Sequence, residues 1–186
     1  MTHACFLLDN MVYYYQFIIY TIIIVGDTVN KLKVLFIAST GGHLSELLQL
    51  KPLFSEYDFH LVTERTKSTE NFKNEYKSKV DFLVYGTKSH LLAYMIKFPF
   101  NIIKSLCIFL KVRPTVVVTT GTHTAVPMCY IAKLFRKKVI FIETFANSTT
   151  PTSSGKMVYP IADKFIVQWE GLLEYYPNAN YGVWIY

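Results

Sequence analysis

The segment KVLFIASTGGHLSELLQL, residues 33–50, is the clearest guide to the architecture of this chain. Its first part, Lys33–Ser39, is apolar and rich in residues that favour strands, which predicts a buried β-strand. The part that follows Gly42 places Leu44, Leu47 and Leu48 at helical spacing, which predicts a helix. A strand that passes into a helix through a glycine turn is the repeating unit of parallel α/β sheets.

The same alternation of strand and helix continues along the chain. Further strands are predicted at residues 59–63, 81–86, 115–121 and 138–144, with short final strands at residues 164–169 and 182–186. Helical patterns or polar loops separate them. The fold class predicted is therefore α/β, a Rossmann-like parallel sheet flanked by helices.

The run of residues 90–111 is long, mostly apolar and carries three lysines. It predicts a helix that Pro99 kinks or splits, because proline removes a backbone donor and clashes with the preceding turn. Two interpretations stay open. The helix packs on the sheet, or part of it lies in a membrane interface with its lysines at the lipid headgroups.

Two domains are predicted: an apolar amino-terminal segment at residues 1–30 and a Rossmann-like domain at residues 31–186. Residues 11–25 carry no charge, but a membrane span needs about 20 helical residues. Lys31 and Lys33 follow this run, which would place the domain on the cytoplasmic side. A membrane anchor, a buried strand and an incorrectly assigned start all remain open for the segment.

Composition narrows the classes of partner. The chain has 186 residues, which suits one α/β domain, and its net charge of +6 is compatible with anionic partners or with an ordinary basic surface. The basic residues are dispersed, so no nucleic-acid partner is expected. No Asp-x-Asp, zinc-spaced cysteine set or dinucleotide fingerprint occurs in the sequence, so no metal and no cofactor are expected.

The strongest site motif is STGGHLSE, residues 39–46, where the first strand becomes the first helix. Ligands of open α/β sheets bind at the carboxyl ends of strands, and glycines allow the backbone to approach a phosphate. Ser39, Gly41 and Gly42 are therefore predicted to bind phosphate. His43 is predicted to be catalytic, by donating to a phosphate or by acting as a base. The alternative is a tight turn with an exposed histidine.

A second glycine turn, TTGTHTAVP, closes the fourth strand. Gly121 and Thr122 are predicted to bind phosphate, and His123 to cap or line the same cleft. Glu143 ends the fifth strand at the same edge and is predicted to bind sugar hydroxyls or to accept a proton. Turns that only pack helices on the sheet, and a structural hydrogen bond for Glu143, are the alternatives.

These motifs in this order, followed by VIFIETFA and by the block DKFIVQWE to YGVWIY, resemble the PssD family of polysaccharide biosynthesis proteins. That family is related to the membrane-anchoring subunit of the eukaryotic dolichol-linked N-acetylglucosaminyltransferase. The resemblance covers about residues 33–186. The first glycine motif is shared more widely, including with MurG-like transferases of lipid-linked sugars.

The resemblance implies the amino-terminal half of a GT-B glycosyltransferase, inactive without its partner. A separate catalytic chain would supply the UDP-sugar-binding half. This chain would bind a polyprenyl-pyrophosphate-linked sugar acceptor and recruit the partner to the cytoplasmic face of a membrane, for capsule or exopolysaccharide synthesis. Gly41, Gly42 and His43 match the acceptor pyrophosphate loop, Gly121 and Thr122 a second loop, and Glu143 an acid at the sheet edge. A purely structural membrane recruiter and a stand-alone nucleotide-binding enzyme are the competing hypotheses.

Overall fold

The computed structural model describes residues 32–86 and 91–182. The predicted amino-terminal segment, including the uncharged run at residues 11–25, lies outside the described residues. The same holds for residues 183–186 of the last predicted strand.

Residues 32–86 and 91–182 form seven strands and six α-helices, which largely alternate. The strands are β1 (Lys33–Ile37), β2 (Asp58–Arg65), β3 (Val80–Val84), β4 (Val116–Thr119), β5 (Lys138–Ile142), β6 (Lys164–Val167) and β7 (Asn180–Tyr181). The helices are α1 (Gly42–Leu48), α2 (Leu53–Glu56), α3 (Phe72–Tyr76), α4 (Leu91–Val112), α5 (Val126–Leu134) and α6 (Ser153–Val158). Three short 3₁₀ turns lie at Lys67–Thr69, Lys77–Lys79 and Glu170–Glu174.

The strands form one sheet in the order β3-β2-β1-β4-β5-β6-β7, and every adjacent pair is parallel. The predicted Rossmann-like fold is confirmed. Chain order reverses between β1 and β4: from β1 the chain builds outward through β2 and β3, and from β4 it builds outward in the other direction. Such a reversal opens a crevice at the carboxyl ends of the two strands.

Hydrophobic residues cover both faces of the sheet, as a parallel sheet requires. Alternate strand residues, among them Leu35 and Val117, pack with α4, α5 and α6 on one face. Their neighbours in sequence, among them Phe36 and Val118, pack with α1 and α2 on the other face. The period of two along each strand therefore sets two cores, and both hold the strand ends that carry the site in fixed positions.

The helix at residues 91–112 packs against β3 and α5, which confirms the interpretation that it covers the sheet. It continues through Pro99, so the predicted split is wrong. A proline removes one backbone hydrogen bond, whereas residues after it, including Ile108 and Phe109, are buried in the core and hold the helix in place.

Three other boundaries differ from the sequence prediction. The single helical run predicted after the first turn is two helices, α1 and α2, separated by a turn before Pro52. Strand β2 extends to Arg65, so Glu64 belongs to a buried strand and not to the polar loop predicted there. The stretch FANSTTPTSSGK, residues 145–156, is predicted from its serine, threonine and proline content to be a loop, but its last residues begin α6, which Thr152 caps through its side chain. Within the described residues, no helix has the length and apolar character needed to cross a membrane.

Candidate functional site

A cleft of about 350 Å³ opens at the carboxyl edge of the sheet, beside the reversal point between β1 and β4. Its polar lining consists of His43, Thr122, His123, Thr152, Ser153 and Ser154. Its apolar lining consists of Phe98, Val126 and Met157. The cleft thus combines hydroxyl and imidazole groups with hydrocarbon and aromatic groups in its lining.

Two turns meet at the floor of this cleft: the first turn (residues 38–43) and the second turn (residues 120–125). His43 Nδ1 lies 2.7 Å from the carbonyl oxygen of Thr120, and the Thr120 hydroxyl donates to the His43 carbonyl oxygen, also at 2.7 Å. The sequence prediction that the two turns form one crevice matches this geometry. The reciprocal bonds fix His43 relative to Thr122 and His123.

The Thr120 carbonyl also determines the hydrogen-bonding roles of the His43 ring. A carbonyl oxygen can only accept, so Nδ1 must carry the proton in this contact. In the neutral imidazole the proton-free nitrogen is then Nε2. His43 lines the cleft, so the ring can accept a proton there through Nε2 when neutral, or donate one when charged.

The glycines of the two turns have different structural roles. Gly41 and Gly121 have positive φ angles, +84° and +99°, which side chains with a Cβ rarely adopt. A Cβ at Gly121 would lie 3.4 Å from His43 Nδ1 and 3.4 Å from Ser154 Oγ. Gly42 has an ordinary φ angle and open space around its Cβ position. The fold therefore requires glycine at 41 and 121, and nothing in the folding of this chain requires it at 42.

Beside the two turns, a wall of the cleft is formed by the segment that follows β5. Thr152 caps α6 by accepting from the Gly155 N–H at 2.9 Å, and it donates to Glu143 Oε1 at 2.7 Å. Ser153 and Ser154 follow directly and line the cleft with Thr152. The sequence showed this segment only as a loop rich in serine and threonine, although a threonine before a short helix is a common capping signal.

Glu143 lies beneath that wall and is 1% exposed. Its Oε1 accepts from Thr152 and from the Thr144 N–H, and its Oε2 accepts from the Tyr176 hydroxyl at 3.0 Å. Burial, followed by the negative charge of Glu143, raises the pKa of Tyr176. Glu143 is not among the residues that line the cleft. The geometry gives it a part in holding Thr152, and its catalytic role stays a prediction.

Two further buried carboxylates, Glu46 and Glu64, accept hydrogen bonds from the segments around the cleft. Neither was predicted from the sequence. Glu46, one turn after His43 on α1, accepts from the Thr144 hydroxyl at 2.6 Å and from the Phe145 N–H at 3.2 Å. Desolvation by burial raises its pKa. Glu64, at the end of β2, contacts Thr40 and Thr124. The sequence offers only a weak signal for either residue. Glu64 is a polar residue near the end of a strand, and Glu46 lies at helical spacing from His43.

Of the predicted phosphate-binding residues, the structure brings Thr122 to the cleft wall together with His43. Gly121 lies against His43 and Ser154, behind the lining. Ser39 is buried, and its hydroxyl lies 3.5 Å from the Thr40 carbonyl oxygen. Gly41 and Gly42 form the exposed start of α1. Ligand contacts for Ser39, Gly41, Gly42, Gly121 and Thr122 stay predictions.

In residues 32–86 and 91–182, no three His, Cys, Asp or Glu side chains are grouped as the ligands of a metal ion would be. Cys129 is buried, and desolvation raises the pKa of its thiol to about 12. A thiol with so high a pKa is protonated and unreactive at neutral pH.

The sequence of this chain matches a known protein family. The family model described as "Oligosaccharide biosynthesis protein Alg14 like" matches residues 34–185, which cover the seven described strands apart from Lys33 at the start of β1 and include the three segments around the cleft. The chain belongs to the Alg14-like family. The predicted relationship to the anchoring subunit of the eukaryotic transferase is therefore confirmed at the level of the family.

Curated members of the Alg14-like family are similar over most of their length. The Candida albicans protein named UDP-N-acetylglucosamine transferase subunit ALG14 is 28% identical over 162 residues, which cover 76% of this chain and 73% of the relative. The Homo sapiens protein of the same name is 27% identical over 177 residues, with 81% of each chain covered.

Solved structures show the same fold in larger proteins. MurG of Acinetobacter baumannii superimposes with a TM-score of 0.60 at 14% identity, and the alignment covers 76% of this chain and 42% of MurG. UDP-N-acetylglucosamine 2-epimerase of Rickettsia bellii gives a TM-score of 0.62 at 17% identity, covering 80% of this chain and 42% of the epimerase. The chain thus spans less than half the length of these proteins. The likeness supports the prediction of a GT-B-type half domain as a fold.

Proposed function

We propose that this chain is the acceptor-binding subunit of a two-chain UDP-N-acetylglucosamine transferase that extends a lipid-linked oligosaccharide. Its relatives in the Alg14-like family are named as subunits of a UDP-N-acetylglucosamine transferase, which supports an activity shared between chains. The partner chain would bind the UDP-sugar. The product would serve polysaccharide synthesis, such as that of a capsule or an exopolysaccharide.

The observation that carries this proposal is the cleft at the reversal point between β1 and β4. A lipid-linked acceptor has a diphosphate, a sugar and a hydrocarbon chain. The imidazoles of His43 and His123 and the hydroxyls of Thr122, Ser153 and Ser154 supply hydrogen-bonding groups for the first two parts. Phe98, Val126 and Met157 supply apolar surface for the third. The cleft lining therefore offers both polar groups for the diphosphate and sugar and apolar surface for the hydrocarbon chain of the proposed ligand.

In the transfer step, His43 is the proposed base. The acceptor hydroxyl attacks the anomeric carbon of the donor sugar, the bond from that carbon to UDP breaks, and UDP leaves with the electron pair. The hydroxyl proton passes to His43 Nε2, which the Thr120 carbonyl holds in the proton-accepting form. A charged His43 would instead contact the diphosphate, which is the second role open to it.

Reconstitution tests this proposal. The purified chain should transfer no N-acetylglucosamine to a polyprenyl-diphosphate acceptor by itself, whereas a mixture with its partner should. His43→Ala should lower the rate of the mixture by at least a hundredfold, in the range expected for loss of a general base, while partner binding is retained. Transfer by the chain alone would refute the two-chain proposal. Unchanged transfer by His43→Ala would favour a purely structural recruiter.

We also propose that the chain works on an anionic membrane surface, which it contacts through α4. Phe100, Ile103 and Leu110 are 53%, 62% and 49% exposed, and with the exposed Cys107 they form a stripe at helical spacing. Lys97, Lys104 and Lys111 follow each other seven residues apart on the same helix, which contains no acidic residue. Apolar residues flanked by lysines favour insertion at anionic headgroups. Phe98 of this helix lines the cleft, so the lipid of the acceptor would lie close to the same surface.

Vesicle binding tests this surface on the full chain. Phe100→Glu should lower partitioning onto phosphatidylglycerol vesicles at least tenfold, because it removes apolar contact and adds repulsion. Tyr175→Glu is the matched control, since Tyr175 is also an aromatic residue and is 51% exposed, away from α4. Equal binding by Phe100→Glu and the wild type would refute the role of α4. Equal loss in both variants would refute its specificity.

A further inference from the structure

Glu64 is a buried carboxylate that contacts both turns of the cleft. It is 2% exposed and lies next to the last residue of β2. Its Oε2 accepts from the N–H and from the hydroxyl of Thr40, both at 3.3 Å, and its Oε1 accepts from the Thr124 hydroxyl at 2.7 Å. One side chain from a neighbouring strand therefore joins two segments that are 84 positions apart in sequence (124 minus 40).

The bonds from Glu64 end one to three residues from the predicted ligand-binding groups. Thr40 directly precedes Gly41 and lies three residues before His43. Thr124 directly follows His123, which lines the cleft with Thr122. Glu64 itself is not part of the cleft lining. Any effect it has on a ligand must therefore pass through the two turns.

Glu64 also differs from the other contact between the turns. His43 and Thr120 bind each other directly, whereas Glu64 bridges Thr40 of the first turn and Thr124 of the second turn. A buried carboxylate needs donors, and hydrogen bonds to a charged group are about twice as strong as neutral ones. The two sets of bonds hold each turn at two points, so the turns cannot rotate apart about the His43–Thr120 contact.

We infer that Glu64 is a positioning residue that sets the distance between the imidazole of His43 and the groups of the second turn, and so prepares the cleft for a diphosphate. The inference rests on the proposed function for the identity of the ligand. The coupling of the two turns rests on the contacts alone, so the two can be tested separately.

The test uses Thr124, which carries the shortest bond to Glu64. Thr124→Val keeps the shape of the side chain and removes the donor, whereas Thr124→Ser keeps the donor. Thr63→Val is the matched control: Thr63 is a neighbouring residue of β2 whose buried hydroxyl has no hydrogen-bond partner within the described part of the chain. Full-length proteins are compared by amide hydrogen exchange and by calorimetric titration with farnesyl diphosphate.

Thr124→Val should raise amide exchange of residues 40–43 in the other turn, and it should weaken farnesyl diphosphate binding about tenfold. Thr124→Ser should stay within about twofold of the wild type, and Thr63→Val should change neither readout. In the reconstituted transferase, Thr124→Val should lower the rate in the presence of His43 and have little further effect in the His43→Ala background, because coupled residues are not additive.

The outcomes separate the two claims. Unchanged exchange at residues 40–43 in Thr124→Val, or an equal change in Thr63→Val, would overturn the positioning role of Glu64. Additive rate effects of Thr124→Val and His43→Ala would also overturn it. Raised exchange in a chain whose wild type binds no farnesyl diphosphate would support the coupling of the turns and count against the proposed function.

Discussion

Gly155→Ala should cause a large loss of stability although it adds only one methyl group. A Cβ at Gly155 would overlap Oε2 of the buried Glu143 and would lie 2.6 Å from the Tyr176 hydroxyl and 2.9 Å from Thr152 Oγ1. The Glu143 and Tyr176 oxygens cannot withdraw to solvent, because Glu143 is 1% and Tyr176 is 2% exposed. The carboxylate must shift or the start of α6 must move outward.

The expected change in the free energy of unfolding combines two destabilising effects with one stabilising effect. Overpacking a buried site costs about 1–3 kcal/mol. Loss of one hydrogen bond to a buried carboxylate costs about 1.5–3 kcal/mol. Alanine is favoured over glycine in a helix by up to about 1 kcal/mol. The free energy of unfolding should therefore fall by about 3 kcal/mol, which in a domain of this size lowers Tm by about 6–12 °C.

Urea denaturation and thermal unfolding measure this change, with Gly171→Ala as the matched control. The Cβ of an alanine at 171 would meet only the Ser148 carbonyl oxygen, at an ordinary 3.9 Å. That variant should stay within about 1 kcal/mol of the wild type. A loss below 1 kcal/mol in Gly155→Ala, or equal losses in both variants, would refute the packing of α6 against Glu143.

Three further predictions concern the turns, the buried carboxylate and the pH dependence of stability. Gly42→Ala should leave the free energy of unfolding unchanged or raise it by up to about 1 kcal/mol. The same substitution should weaken farnesyl diphosphate binding if the ligand approaches this backbone. Urea unfolding and calorimetric titration of the same preparation measure the two quantities. Tyr176→Phe should cost about 1–3 kcal/mol in urea unfolding, because it leaves Glu143 Oε2 without its donor. Burial lowers the pKa of His60 from its ordinary 6.5, although the Asp81 carboxylate opposes this. The unfolded chain therefore takes up a proton first, stability should decline as the pH falls below 6.5, and His60→Gln should show a smaller decline.

Each of these predictions has a contradicting result. Loss of stability in Gly42→Ala would show that the fold requires this glycine. A Tyr176→Phe variant as stable as the wild type would show that Glu143 finds another donor. For His60, the informative quantity is the difference in the free energy of unfolding between variant and wild type across the pH range, since contributions common to both proteins cancel. Parallel pH profiles would contradict the assignment to His60.

The sequence predicts the sheet well because its buried parallel strands are largely apolar and because glycine turns follow β1 and β4. The placement of the turns after β1 and β4 in one cleft followed from the rule that ligands of open α/β sheets bind at the carboxyl ends of strands, whereas the order of the strands was not predicted. Contacts between distant segments were harder to predict. Nothing in the local pattern of Glu64 indicates that it reaches Thr40 and Thr124, because those contacts depend on the sheet order and on side-chain direction.

Short elements were also missed for physical reasons. Helix α6 has six residues and begins in a segment rich in serine and threonine, so its local propensity is that of a loop. It forms because Thr152 caps it and because Gly155 leaves room for the Glu143 carboxylate. The cap is a local contact, but the fit of Gly155 against Glu143 is a tertiary condition. The polar wall of the cleft therefore became visible only with the fold.

The most direct test of the account is the position of a bound acceptor analogue. A crystal structure of the full chain with a short polyprenyl-diphosphate N-acetylglucosamine should place the diphosphate within about 3 Å of hydrogen-bonding groups among His43, Thr122 and Ser153–Ser154, and the prenyl chain against Phe98 and Met157. An analogue bound at another surface, or one with its hydrocarbon on the polar wall, would contradict the proposal that this cleft receives the lipid-linked acceptor.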